Sequence, residues 1–171
     1  ILGKAEKIEP QQYYYPLSEI HLTILSIISC QPNLKLDKVQ IHEYQKFINE
    51  NLFLSVPIEL SFSGITLSPS AVLIQGFDKS GQLNKLRENL RAAFKNIDLY
   101  QTIDKRYKLE TAHMTVIRFK EKLKHPFRFS HFLQEYRLNH FGECKIERLE
   151  LVWNDWYQRS DRTKILYEYS F

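Results

Sequence analysis

The sequence predicts an α+β fold of two sheet-and-helix lobes sharing a central cleft, and three observations carry that prediction. Two strings of one form, His21-Leu22-Thr23-Ile24 and His113-Met114-Thr115-Val116, lie 92 residues apart, one in each half of the chain. Several short runs alternate apolar and polar residues with the period of a half-buried strand, and a leucine stripe at helical spacing separates them. The predicted order is strand, helix, two strands, helix, strand, helix, two strands, with one His-x-Thr strand supplied by each lobe.

Each element has its own signal. Residues 20–28 are rich in isoleucine and leucine and read as the first strand. Over residues 37–51, Val39, Ile41, Tyr44, Phe47 and Ile48 recur at three- and four-residue spacings, which predicts a helix ending near Asn51. Residues 57–68 alternate Ile58, Leu60 and Phe62 with Glu59, Ser61 and Ser63, a strand with one wet face, and Gly64 marks a bulge or a close approach. After Pro69, residues 71–75 read as a buried strand closed by Gly76. Ser80 is the expected N-cap of a helix striped by Leu83, Leu86, Leu90, Phe94 and Ile97. Residues 98–112 form a polar connection to the second motif strand, which runs to Phe119. Pro126 and Ser130 introduce a helix with Phe132, Leu133 and Tyr136 inward, stopped by Gly142. Residues 145–153 and 164–171 alternate as closing strands, the last through Ile165, Tyr167, Tyr169 and Phe171, with a charged loop over residues 155–162.

Composition bounds what such a chain does. At 171 residues it is long enough for one substantial core, so a single domain spanning residues 1–171, built of two pseudo-symmetric lobes, is expected. Hydrophobic residues make up 43% and charged residues 26%, which argues for a folded globule rather than disorder. Cys30 and Cys144 are too few and too far apart for a disulfide framework or a zinc knuckle, and read as reduced thiols of a cytoplasmic protein. No apolar run approaches the roughly 20 residues that span a membrane, and no basic-then-apolar leader is present. The chain starts at Ile1 rather than at a methionine, which leaves a preceding segment open. A net charge of +4 suits a phosphate-bearing ligand, with basic groups at 105–106, 120–124 and 159–164, but no arginine-rich arm or RNA-recognition aromatic signature accompanies it. No obligate protein partner is evident, and a monomer is expected.

The paired strings carry the chemistry. In a strand, residues i and i+2 share a face, so each histidine presents its imidazole beside the hydroxyl of its own threonine. Random order would give only about 0.2 such His-x-Thr strings in a chain of this composition. A single string reads most simply as a hydrogen-bonded core histidine; a matched pair does not. Acid–base catalysis needs one group that takes a proton and one that gives it, and two imidazoles, each available in both protonation states near neutrality, supply both. His21 and His113 are therefore the catalytic candidates, with the order of base and acid left open, and Thr23 and Thr115 the substrate-binding candidates beside them. Neither string has the spacing of a zinc site, and His42, His125, His131 and His140 assemble no ligand set in the sequence, so no metal and no other cofactor is expected. Tyr13, Tyr14 and Tyr15, and also Trp153, Trp156 and Tyr157, are weighed as base-stacking residues, core packing being the plainer role. Arg118, on simple alternation, faces away from His113 and Thr115 and stays outside the expected site.

These residues resemble the 2H phosphoesterase superfamily, which includes LigT-like RNA cyclic phosphodiesterases and related 2′,5′ RNA ligase-like proteins. Its pattern is His-hydrophobic-Thr-hydrophobic occurring twice, about half a chain apart, and HLTI and HMTV both satisfy it. The strand pair between Gly64 and Gly76, the leucine-striped helix, Arg118 three residues past the second threonine and a last strand near Tyr167 extend the similarity over nearly the whole chain. Ala112 departs from it, since many relatives have proline before the second histidine. The resemblance implies a bilobal two-sheet fold and a hydrolase of RNA processing. Its implied substrates are 2′,3′-cyclic phosphates or 2′,5′ linkages in an RNA end or nucleotide, and it implies no metal. The alternatives are a nucleotide-binding module of the same fold without turnover, or 2′,5′ RNA ligation, which reverses the same chemistry.

Overall fold

In the computed structural model, which describes residues 1–31, 34–52 and 57–170, helices and strands alternate as α1 (Leu2–Glu6), β1 (Tyr13–Tyr14), α2 (Ile41–Asn51), β2 (Ile58–Ser68), β3 (Ala71–Asp78), α3 (Gln82–Phe94), β4 (Ala112–Arg118), α4 (Pro126–Gln134), β5 (His140–Ile146), β6 (Arg148–Trp153) and β7 (Lys164–Ser170). The strands form a five-stranded sheet in the order β1-β4-β3-β2-β5 and a two-stranded sheet β6-β7, so the predicted α+β, two-sheet class holds. The chain divides into two compact units. The first comprises Ile1–Thr23, Leu60–Phe77 and Thr111–Cys144; the second comprises Ile24–Glu59, Asp78–Glu110 and Lys145–Phe171.

In the first unit, one face of the larger sheet is apolar and carries the core. Val72 of β3 and Val116 and Ile117 of β4 pack with Ile65 of β2, Ala5 of α1 and Phe129 and Leu133 of α4. Each fully buried aliphatic or phenyl side chain here contributes about 1.5–3 kcal/mol relative to leaving it in water. The start of α4 is held from afar. His125, its N-cap, offers no side-chain acceptor; instead the buried carboxylate of Glu9 accepts from the backbone N–H of Lys124 at 3.0 Å and from that of His125. A carboxylate at a helix N-terminus satisfies orphan donors and complements the helix dipole. Gly64 in β2 has φ +78°, and a Cβ there would stand 2.7 Å from the Arg137 carbonyl oxygen, so the close approach expected at this glycine is real.

Strand β4 carries the feature that matters most for the site. β3 pairs with it antiparallel, Gln75 opposite His113 and Leu73 opposite Thr115, but the next pair is Val72 with Ile117. Val116 is thus an extra residue, a β-bulge, and the alternation of faces changes phase across it. His113 and Thr115 lie on the face opposite the core. Beyond the bulge Ile117 faces the core, and Arg118 returns to the face of His113 and Thr115.

In the second unit, α2 and α3 pack through aromatic rings. Phe47 and Tyr44 lie 4.9 Å and 6.4 Å from Phe94, centroid to centroid. β6 and β7 form an antiparallel ladder that α2 meets through Gln45, whose side chain donates to the Leu166 carbonyl at 2.8 Å. Leu83, Leu86, Leu90 and Phe94 are buried along α3 as their spacing predicts. Two arginines on the same helix are buried with them. Arg87 is fully buried, its Nε donating to the Ile24 carbonyl at 2.8 Å and its Nη1 to the Glu110 carbonyl at 3.1 Å. Arg91 pairs with Asp104 at 2.8 Å and donates to the Leu109 carbonyl at 2.9 Å.

Several expectations are corrected. Residues 20–28 do not form a continuous strand: only Leu22 makes a bridge, to Met114, because carbonyls farther along are taken by other partners, that of Ile24 by Arg87 and that of Ile27 by the Thr102 N–H at 2.8 Å. Nor does each lobe contribute one string. The His-x-Thr residues of both strings, His21–Thr23 and His113–Thr115, fall in the first unit, where the backbone pairing of Leu22 with Met114 joins them; Ile24 opens the second. Ser80 is not the N-cap of α3; that position is Gly81 with φ +71°, and Asp78 accepts from the N–H groups of Ser80, Gly81 and Leu83. Ile97 lies past the end of α3, and the helix expected over residues 37–51 begins at Ile41 after a 3-10 turn at Leu36–Lys38. β3 runs through Gly76 rather than ending there, and Gly142 lies within β5 rather than stopping α4. Helix α1 and strand β1 are too short for a periodic signal. Phe171, expected to close the last strand, lies outside the described residues.

Candidate active site

His113 and Thr115 share one face of β4, and an isolated bridge brings the first string alongside them. Leu22 opposes Met114 in an antiparallel bridge, and Met114 is paired in turn with Ile74 of β3, which packs against the core. Antiparallel order brings His21 to the level of Thr115 and Thr23 to the level of His113. Thr115 is buried and Thr23 exposed, while both histidines are half-buried.

The surroundings of His21 are well defined. Pro16 and the 3-10 turn Leu17–Glu19 reverse the chain so that the Glu19 carbonyl stands 2.7 Å from His21 Nδ1. A carbonyl only accepts, so Nδ1 carries the hydrogen and the neutral imidazole has its lone pair on Nε2. Burial, above all, holds the His21 imidazole below the usual histidine range. The Glu19 carbonyl pulls the other way, and the positive charge of Arg118 lowers it further. His113 Nδ1 lies 3.3 Å from the hydroxyl of Thr111, which is able to donate or accept.

Arg118 belongs to this face, against the expectation from simple alternation. The bulge at Val116 turns it, and its Nε donates to the Tyr15 hydroxyl at 3.3 Å. Tyr15, 2% exposed, presents its ring edge-on to His21 at 6.1 Å. Tyr13 stands edge-on to Tyr15 at 4.9 Å and donates its hydroxyl to the Glu19 carboxylate. The side chains of Tyr13 and Tyr15 thus share the site face, whereas Tyr14 packs against the core. The sequence hint for Arg118 was present: Thr115, Val116 and Ile117 are three consecutive residues suited to burial, a pattern that strict alternation does not produce and a bulge does. No comparable local hint marks Tyr15.

The other candidates fall elsewhere. Trp153, Trp156 and Tyr157 belong to the second unit, where the Arg106 guanidinium lies 4.4 Å from the Trp156 ring centroid and that of Arg159 5.6 Å from the Tyr157 centroid. Cys30 and Cys144 are free thiols, both pushed up from the usual thiol range by burial. Among the described residues, no three of His, Cys, Asp and Glu come together in a set that would hold a metal ion, and no helix is long and apolar enough to cross a membrane.

The two-sheet α+β arrangement is that of the 2H phosphoesterase fold class. Residues 1–163 match the family model described as the AKAP7 2′5′ RNA ligase-like domain, so the chain belongs to that family and, with it, to the 2H phosphoesterase superfamily. Among solved structures, the chain is similar to TT0787 of Thermus thermophilus, with a TM-score of 0.64 and 19% identity over 98% of this chain and 87% of that one. Identity that low speaks for the fold. No curated protein matches the sequence.

Proposed function

We propose that this chain is a metal-independent phosphodiesterase acting on 2′,3′-cyclic phosphates or 2′,5′ linkages in RNA or nucleotides. The observation that supports the reading is the backbone bridge between Leu22 and Met114, which brings the two His-x-Thr strings side by side. Family membership supports phosphoesterase-type chemistry.

His21 is the general base. Its Nδ1–H is committed to the Glu19 carbonyl and its imidazole is held neutral by burial, so Nε2 is free to take a proton from the attacking water or hydroxyl. As the nucleophile's oxygen bonds to phosphorus, the bond from phosphorus to the leaving ribose oxygen breaks, and His113, starting as the imidazolium, gives that oxygen its proton. Thr23 and Thr115 donate hydroxyl hydrogens to the non-bridging oxygens, and the Arg118 guanidinium offsets their charge. At the end His21 holds a proton and His113 has lost one, so exchange with solvent resets the pair. Any titration belongs to the two histidines together. Ligation would run the same step in reverse with the same residues, and the 2′5′ RNA ligase-like description of the family makes it the second reading.

The test is product analysis with EDTA present, against 2′,3′-cyclic nucleotides and short 2′,5′- and 3′,5′-linked RNAs. His21→Ala and His113→Ala should each lower turnover by roughly a hundredfold or more, the usual contribution of a positioned acid or base. A near-normal rate in either variant would sink the mechanism. Saturable nucleotide binding with no turnover would instead identify a binding module.

A further inference from the structure

We propose that Tyr15 is a positioning residue that holds Arg118 on the site face beside His21. This rests on the reading of Arg118 as a phosphoryl-binding group. Three contacts of Tyr15 converge on that role. Its backbone N–H donates to the carbonyl of Val116, the extra residue of the β4 bulge, at 3.1 Å. Its hydroxyl accepts from Arg118 Nε at 3.3 Å, and its ring edge meets the imidazole of His21. The same residue therefore takes up the bulged carbonyl, engages the arginine that the bulge turns over, and abuts the imidazole that the arginine's charge reaches. A guanidinium has many rotamers; a donor–acceptor contact to a buried hydroxyl selects among them before any ligand arrives, which reduces the ordering cost of binding.

The charged and titratable groups around His21 are Glu19 on its own segment, Tyr13 and Tyr15 beside it, and His113 and Arg118 on β4. Of these, Arg118 is the fixed positive charge, and it lowers the His21 titration midpoint. Loosening Arg118 should therefore raise that midpoint even when no substrate is present.

The experiment compares Tyr15→Phe, Arg118→Lys, Arg118→Met and the double variant Tyr15→Phe/Arg118→Met with wild type. The His21 ring titration followed by NMR, inorganic phosphate affinity and thermal unfolding are measured for each. Tyr15→Phe keeps the ring and the backbone bond and removes only the hydroxyl; Arg118→Lys keeps the charge and removes the Nε–H donor. Both should raise the His21 midpoint and weaken phosphate binding several-fold. Adding Tyr15→Phe to Arg118→Met should then change neither quantity further. A wild-type midpoint and affinity in Tyr15→Phe, or an equal effect of that substitution in both backgrounds, overturns the proposal. A fall in melting temperature without those two changes does so as well, because it marks the hydroxyl as packing only. The titration arm needs no turnover, so absence of phosphodiesterase activity in the wild type would defeat the reading of the reaction without deciding the Tyr15–Arg118 coupling.

Discussion

His21 loses its proton more readily than a free imidazole because burial disfavours its charged form, and the consequence is a defined pH dependence. Unfolded, the residue titrates near pH 6.5; folded, it titrates lower, so between the two values the unfolded chain binds more protons. The stability from neutral His21 is therefore present above pH 6.5 and lost as pH falls through the folded value. Activity should follow the same group: the acidic limb of the kcat/KM profile is expected below pH 6.5. Arg118→Met, which removes one of the lowering influences, should move that limb upward. A wild-type limb above 6.5 in the pH–rate profile would reassign the base. The same scale shows what the sequence concealed. His113 and Thr115 were readable as a pair because i and i+2 share a face in any strand, and β4 is one. Arg118 was misplaced because one inserted residue reverses that rule, and whether a strand bulges depends on what lies beside it.

At the scale of elements, Arg87 on α3 stands out because it fastens the last residue of the first string and a residue shortly before the second. Its guanidinium donates to the carbonyl of Ile24, which follows Thr23, and to that of Glu110, which precedes Thr111. Burial lowers its pKa to about 10, so it stays charged at neutral pH. Arg87→Met would leave two carbonyls without this donor in a buried setting, each costing about 1–3 kcal/mol, and a loss of about 2–4 kcal/mol is expected in urea unfolding. A change within 0.5 kcal/mol, the ordinary range for surface sites, would mean that water replaces the guanidinium at both carbonyls. Element types were otherwise legible: the stripe of α3 and the alternation of β2 and β7 settle them locally. Their ends were less so, because caps come from outside the element. Asp78 rather than Ser80 holds the start of α3, and Glu9, more than a hundred residues earlier in the chain, holds the start of α4.

For the whole molecule, the expected outcome of metal removal follows from the residues themselves. The described residues bring no trio of metal-ligating side chains together, and the two-histidine mechanism needs none. Turnover measured after exhaustive chelation should equal that of the untreated protein. A loss restored by a divalent cation would overturn the metal-free step.

The candidate His-x-Thr pairs, their spacing, the α+β class and most elements were legible in the sequence itself, since those rest on local periodicity and residue types. The tertiary structure decided that His21–Thr23 and His113–Thr115 share one unit, that Leu22 meets Met114, that Val116 bulges and turns Arg118 to the face of His113, and that Glu19 fixes the His21 tautomer. The physical reason is one of range. A side chain's face is set by its neighbours two residues away, but strand register, bulges and hydrogen-bond partners are set by backbone groups brought together only by folding.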